Sequence, residues 1–226
     1  MKTLIVVSHP TLDQSQTQQF LKASAATLAD ATWHHLDTSM PFDASKEQAL
    51  VRAADRIIFQ FPLYWYAAPA SLYQWLDEVW VRSVVYDARG GLLTGKSLGL
   101  VVNLGQPARG YQVGGAEGVS LSELFSPFAA LARKTGLRML APLVIDQFSY
   151  QDEATHQKLL VAYQQYLTLA HPAKLSEQAD WWLDQLADLA DLGDQAELVG
   201  QTLATRQETL MHLQETINEL KEGEED

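Results

Sequence analysis

Residues 56–81 read RIIFQFPLYWYAAPASLYQWLDEVWV. Arg56–Phe61 is an apolar, branched run without polar alternation, the pattern of a strand buried on both faces in a parallel sheet. Pro69–Val81 carries proline at its first position, where a helix does not need the missing N–H. Leu72, Trp75, Leu76, Val79 and Trp80 then recur along one helical face. The intervening FPLYWYAAP is a loop, so the stretch predicts strand, loop and helix in that order.

The alternation continues on either side. Thr3–Ser8 predicts a buried strand, SHPTLDQSQTQQ a loop, and Phe20, Leu21, Ser24, Ala25 and Leu28 a helix. Thr32–Leu36 and Lys46–Ala54 predict the next strand and helix, Ser97–Leu104 and Pro127–Lys134 a further pair, and Leu137–Asp146 and Glu153–Leu169 the last. Strands alternating with helices make an α/β chain with a doubly wound parallel sheet, whose ligands sit beyond the carboxyl ends of the strands.

Composition bounds the chemistry. With 226 residues and 47% hydrophobic content, the chain can bury a full core and carry an appendage. It has no cysteine, which excludes disulfides, thiolate metal sites and cysteine nucleophiles, so any redox chemistry requires a bound cofactor. The N-terminal MKTLIVVSHP is too short and too weakly apolar for a signal peptide or a membrane span, and the expected location is the cytoplasm. A net charge of −12 opposes binding to nucleic acid. Residues 175–226 hold 14 of the 28 acidic residues and only Arg206 and Lys221 of the 16 basic ones. That shift, with Pro172 beside it, predicts a core domain over 1–174 and an acidic helical extension over 175–226. The extension predicts helices over Glu177–Leu192 and Ala196–Leu220, with one of Trp181 and Trp182 as an apolar anchor.

Three loops follow the first, third and fourth strands and converge on one edge of such a sheet. In the first, His9, Ser15, Thr17 and Gln18 have the donors to hold an anion at a helix N-terminus, although Ser15 also suits an N-cap and His9 a satisfied polar group. In the second, Tyr64, Trp65 and Tyr66 cannot all enter one core face; they lie against a flat ligand or plug a gap between helices. The third, NLGQPARGYQVGG, is a glycine-rich floor for a ligand or a flexible connection. The first loop lacks G-x-x-x-x-G-K-[ST], which disfavours a nucleoside triphosphatase, and GxGxxG, the dinucleotide fingerprint, is missing. His34, His35, His156, His171 and His212 show no metal-ligand spacing and are expected on the solvated surface. Ser15, His9 and Asp13 lack a nucleophile-elbow sequence, so no catalytic triad is expected. Together the loops describe a flavin site better than a simple nucleotide site.

SHP followed by Ser15, FPLYWY with PASLYQWLDEV, LTGKSLGLVVNLG, and GYQVGG with LSELFSPF and GLR after it resemble the flavodoxin-like NAD(P)H dehydrogenase (quinone) family. That family includes mammalian quinone reductase, bacterial general stress and drug-modulator flavoproteins, and the flavin-containing ancillary subunit of potassium efflux systems. The resemblance runs from about Met1 to Leu169. It implies a five-stranded flavodoxin-like sheet of order 2-1-3-4-5 and a homodimer. It further implies transfer of two electrons from NAD(P)H through FMN, or FAD, to a quinone or similar small acceptor, with no insertion into a membrane. His9, Ser15, Gln16, Thr17 and Gln18 would then hold the flavin phosphate region. Pro62, Leu63, Tyr64, Trp65 and Tyr66 would lie along the ribityl and isoalloxazine, and Asn103, Leu104, Gly105 and Gln106 would contact the polar edge of the ring. Tyr111 falls where the family has a tyrosine near flavin and substrate. Gln18 stands where relatives commonly have Asn, and Asn103–Gln106 stand where they usually read Thr-Thr-Gly-Gly. Many relatives also place a histidine after the tyrosine. Here that position is near Glu117–Gly118, so Tyr111 or solvent is expected to handle the proton. A regulatory flavoprotein that senses redox state and acts through a partner, such as a potassium efflux system, is the alternative that the efflux-system resemblance implies.

Overall fold

A computed structural model of the chain describes residues 1–85 and 91–188, together with Gln201, Thr205, Glu208, His212 and Glu215. The chain divides into two compact units, Met1–Leu167 and Thr168–Asp226. The elements run β1 Thr3–Val7, α1 Gln16–Ala25, β2 Ala31–His35, α2 Ala44–Ala53, β3 Arg56–Pro62 and α3 Ala70–Val79. They continue α4 Arg82–Val85, β4 Ser97–Leu104, α5 Leu121–Leu124, α6 Ser126–Thr135, β5 Arg138–Met139, β6 Leu143–Asp146, α7 Glu153–Thr168 and α8 Leu175–Asp188.

The sheet is parallel throughout, in the order β2-β1-β3-β4-β5, with β6 also pairing β4. Every residue of β1 and β3 is buried, as their unalternating sequences require. One face of the sheet packs Phe59, Phe61, Trp75, Trp80 and Phe128 into a core under α2, α3 and α6. The other packs Ile5, Val7, Ile58, Tyr163 and Tyr166 under α1 and α7. The C-terminus of α7 is tied to the sheet: Thr3 Oγ1 donates to the Leu167 carbonyl at 2.7 Å, and the fully buried Arg56 guanidinium donates to that of Tyr166. A cation against the last carbonyls of a helix meets the negative end of its dipole. Gly99 in β4 allows the close approach of α7, because a Cβ there would stand 2.7 Å from Tyr166 Oη.

Three expectations are corrected. Pro69 is the N-cap of α3, with extended backbone, and the helix ends at Val79; Trp80 caps it and still enters the core. The expected strand Leu137–Asp146 is divided into β5 and β6. From Leu98 to Val101 is three steps, whereas from their partners Met139 to Leu143 is four, so an extra residue bulges out where Pro142 has no N–H for the ladder. His34, His35 and His156 are not on the solvated surface. His34 Nε2 lies 2.7 Å from Glu47, His35 Nε2 is 2.9 Å from the His9 carbonyl, and the His156 ring stacks on Phe148.

In the second unit, α8 starts two residues earlier than expected. The His171 backbone N–H and ring both reach the Glu177 carboxylate, at 2.8 and 2.7 Å, closing the turn that leads into the helix. Trp181 and Trp182 meet edge to face, and Trp182 remains exposed. Residues 189–192 of the first expected tail helix lie outside the described residues. So does most of the Ala196–Leu220 helix, of which Gln201, Thr205, Glu208, His212 and Glu215 are described and helical. Among the described residues no helix is long and apolar enough to cross a membrane.

Candidate functional site

The carboxyl ends of β1, β3, β4 and β6 lie side by side, with Pro62 in register with Asn103 and Asn103 with Ile145. Four loops therefore leave one edge together. A cleft of about 230 Å³ opens there, lined by Thr17, Pro62, Leu63, Tyr64, Asn103, Leu104, Gly105 and residues Gln147–Tyr150. The topology thus joins residues that are 133 positions apart in the sequence, as in the contact of Ser149 Oγ with Gln16 Oε1.

The first loop ends at Ser15, whose Oγ accepts from the Gln18 N–H at 3.3 Å as the N-cap of the ten-residue α1. A helix has no internal acceptors for its first-turn N–H groups, so those of Gln16 and Thr17 remain for a ligand, at the positive end of the dipole. Ser15 is thus an N-cap in a position to complete an anion cradle with them. His9 is 4% exposed. Its backbone N–H donates to Asp37 at 2.9 Å, and its Nδ1 accepts from the Thr11 N–H at 3.2 Å, which leaves Nε2 as the protonated nitrogen. Burial pushes the His9 pKa below its ordinary 6.5 against the pull of Asp37, so the ring is neutral at pH 7. Gln18 is fully buried, its side chain held between Asn103 and Gln60.

The second loop is held open by a turn in which Trp65 and Tyr66 both have positive φ, 49° and 63°. Such backbone is uncommon for bulky side chains and is maintained only where surrounding structure enforces it. Here Tyr64 and Ala67 exchange backbone hydrogen bonds at 3.0 Å. The turn leaves the Trp65 side chain 95% exposed and brings Tyr64 edge-on to His9. Tyr66 Oη donates to Glu117 at 2.9 Å, which ties the second loop to the third. Trp65, Tyr66, Gln106 and Tyr111 do not line the cleft, nor do His9, Ser15, Gln16 and Gln18.

The third loop is anchored by Asp146, which accepts from the Ala108 N–H at 2.7 Å. Gly105 leaves the floor of the cleft open, since a Cβ there would meet nothing within 4 Å. Tyr111 is buried, and burial, followed by the charge of Glu117, raises its pKa above the ordinary 10.0. Tyr66 is raised as well, chiefly because its hydrogen bond to Glu117 favours the protonated phenol. The fourth loop, Gln147–Tyr150, was not among the expected site residues. Its signal is positional: FSY follows the last strand at the ligand edge, and Tyr150 is 85% exposed. Among the described residues no group of three or more His, Asp or Glu side chains is placed to hold a metal ion.

The sequence pattern of a family described as having a flavodoxin-like fold matches residues 1–168. YrkL of Bacillus subtilis (strain 168), named as an uncharacterized NAD(P)H oxidoreductase, is 40% identical over 143 residues, covering 62% of this chain and 82% of its own. The crystal structure of a protein from P.pentosaceus titled NADPH-quinone reductase is 44% identical, with a TM-score of 0.72, and the match covers 75% of this chain and 99% of that one. General stress protein 14 from Treponema denticola, solved in complex with FMN, is 33% identical with a TM-score of 0.65, covering 74% of this chain and 96% of its own.

Proposed function

The chain belongs to the flavodoxin-like fold family, and from that premise we propose that it is a flavin-dependent NAD(P)H oxidoreductase, with FMN as its flavin, that passes two electrons to a quinone or similar small acceptor. One observation carries the proposal: Thr17 in the first turn of α1 and Tyr64 of the aromatic loop line the same cleft on the carboxyl edge of a parallel sheet. The names of the P.pentosaceus, Bacillus subtilis and Treponema denticola proteins support it.

The donor set fits a flavin mononucleotide. Ser15, Gln16 and Thr17 would take its phosphate at the head of α1, with neutral His9 as a flanking N–H donor. Pro62, Leu63 and Tyr64 would lie along the chain and ring, with Trp65 and Tyr66 at the mouth. Asn103, Leu104, Gly105 and Gln106 would meet the polar edge of the ring. A bound flavin supplies the hydride and electron chemistry. The protein orients nicotinamide and acceptor in turn over one ring face, and narrows water access with the aromatic turn. Anaerobic absorption spectra of the purified protein before and after NADPH test the proposal. Bleaching of a flavin band is expected; a protein that holds no flavin and takes up neither FMN nor FAD would defeat it.

Tyr111 is proposed as the proton-handling residue. The upward shifts of Tyr66 and Tyr111 keep both phenols protonated through neutral and mildly alkaline pH. Quinone turnover is therefore expected to be flat between about pH 6 and 7, where an essential histidine would produce a step. Tyr111→Phe should lower kcat by about a hundredfold or more, the usual range of an acid–base group. An unchanged kcat with several quinones would leave Tyr111 a packing residue.

We further propose that the molecule is a homodimer, and that 1–174 and 175–226 are separate domains, the acidic extension serving assembly and standing apart from the chemistry. Truncation after Lys174 is expected to reduce the mass seen by light scattering while leaving the flavin spectrum intact. A truncated protein of unchanged mass state and melting temperature would assign the extension to another partner.

A further inference from the structure

Gln60 interrupts the apolar centre of β3, and Gln18, Gln60 and Tyr163 are each fully buried. Burying such groups is unfavourable unless their polar atoms find partners. They find one another in single file. Tyr163 Oη donates to Gln60 Oε1 at 2.8 Å, Gln60 Nε2 to Gln18 Oε1 at 2.7 Å, and Gln18 Nε2 to Asn103 Oδ1 at 3.0 Å. The file runs from α7 through β3 and α1 to the carboxyl end of β4, and stops at a residue that lines the cleft.

A carboxamide has a donor end and an acceptor end, so three in a row have a direction. Heavy-atom positions alone admit both directions, because turning all three amides over reconnects the file in reverse. The Tyr163 hydrogen decides between them. In the direction described it is donated to Gln60. In reverse, Gln60 Nε2 would donate to the phenol oxygen, and the phenol hydrogen would be buried without an acceptor among the described residues. Leaving a buried donor unmade is the costly alternative. Burial holds the Tyr163 phenol far above its ordinary 10.0, so its hydrogen is not lost to titration.

We propose that this file locks the Asn103 carboxamide with Oδ1 turned inward and Nδ2 left as a fixed donor for the cleft. Gln18, Gln60 and Tyr163 are thus positioning residues for Asn103. The proposal rests on the flavin assignment above and deepens it: the donor would meet an acceptor atom on the polar edge of the ring. A donor held in place stabilises electron density arriving at that edge without first having to turn.

The locked amide is tested without flavin and its role with flavin. In ¹⁵N-labelled apoprotein, the Asn103 side-chain NH₂ pair is identified by its loss in Asn103→Asp. Tyr163→Phe keeps the ring and removes the hydrogen that sets the direction; the Asn103 pair should shift or broaden. With FMN loaded, Kd should rise about fivefold, the loss of roughly one hydrogen bond, and the midpoint potential should fall. Gln18→Glu, measured at about pH 9 because burial raises a carboxyl pKa, reverses the last link once ionised: a carboxylate accepts from both neighbours and turns Asn103 Nδ2 inward. It should raise Kd by about tenfold or more, and it provides the test should the phenylalanine variant not fold. An Asn103 pair unmoved by these substitutions overturns the proposal whether or not flavin binds. A moved pair with unchanged FMN affinity and potential overturns the positioning role. A pair that moves in the variants, with a wild-type protein that cannot take up FMN, upholds the lock and overturns the flavin assignment instead.

Discussion

Thr17→Asp is expected to cut FMN affinity by at least about a hundredfold while leaving the melting temperature little changed. Thr17 is in the first turn of α1 and lines the cleft. Thr17 is only 8% exposed, but a carboxylate in a first turn interacts favourably with the helix dipole, which offsets its desolvation. The same carboxylate would face the ligand phosphate. Two unit charges about 4 Å apart repel by about 4 kcal/mol at an effective dielectric constant of roughly 20, and even part of that exceeds the ~2.7 kcal/mol that corresponds to a hundredfold. Thr17→Val separates charge from the loss of the hydroxyl and should cost about one hydrogen bond. Equal FMN titrations for wild type and Thr17→Asp would place the phosphate elsewhere, and with it the assignment of Ser15, Gln16 and Thr17.

Gly99→Val is expected to destabilise the protein by about 3 kcal/mol or more, read as a lower urea midpoint, and to reduce flavin content as a consequence. Even a methyl at Gly99 would stand 2.6 Å from Ile58 Cδ1 and 2.7 Å from Tyr166 Oη. The Ile58 methyl can swing aside, but the Tyr166 hydroxyl accepts from the Leu100 N–H at 3.1 Å and its ring is buried between sheet and helix. Overpacking of a close-packed core costs about 1–3 kcal/mol, and loss of a buried hydrogen bond adds to it. Shifting α7 would also pull on Tyr163, three residues away on the same helix and the first member of the file that reaches Asn103. A urea midpoint for Gly99→Val within error of wild type would show that α7 tolerates displacement, and would weaken the case for a rigid support behind the cleft.

The order of elements and the ligand edge were legible in the sequence. Arg56–Phe61, Thr3–Ser8 and Ser97–Leu104 betray their burial locally, because a strand covered on both faces cannot alternate. The α3 stripe is equally local. Parallel strands joined by helices then place three loops on one edge by topology, which singles out Thr17 and Tyr64, and the family resemblance adds Pro62, Leu63, Asn103, Leu104 and Gly105; all of these line the cleft. The division of the fifth strand at Pro142 was harder, since its apolar content continues through the break and only the partner strand registers the extra residue.

The sequence by itself determined the sheet, its helices and the candidate edge, because hydrophobic period, proline position and capping residues act over a few neighbours. Tertiary structure alone decided the pairings between distant residues. His9 and Gln18 look alike as polar residues near a helix start. Only the packed core turns Gln18 inward, to Gln60 and Asn103, and holds His9 through Asp37. His34, His35 and His156 look like surface residues until β2 and α7 are packed, when Glu47, the His9 carbonyl and Phe148 come within reach. The fourth loop joins the site because β6 lies beside β4, which is a matter of chain return and not of local pattern. Burial obliges each polar group to find a partner, but which partner it finds depends on contacts made across as many as 103 residues of sequence, and those exist only in the folded chain.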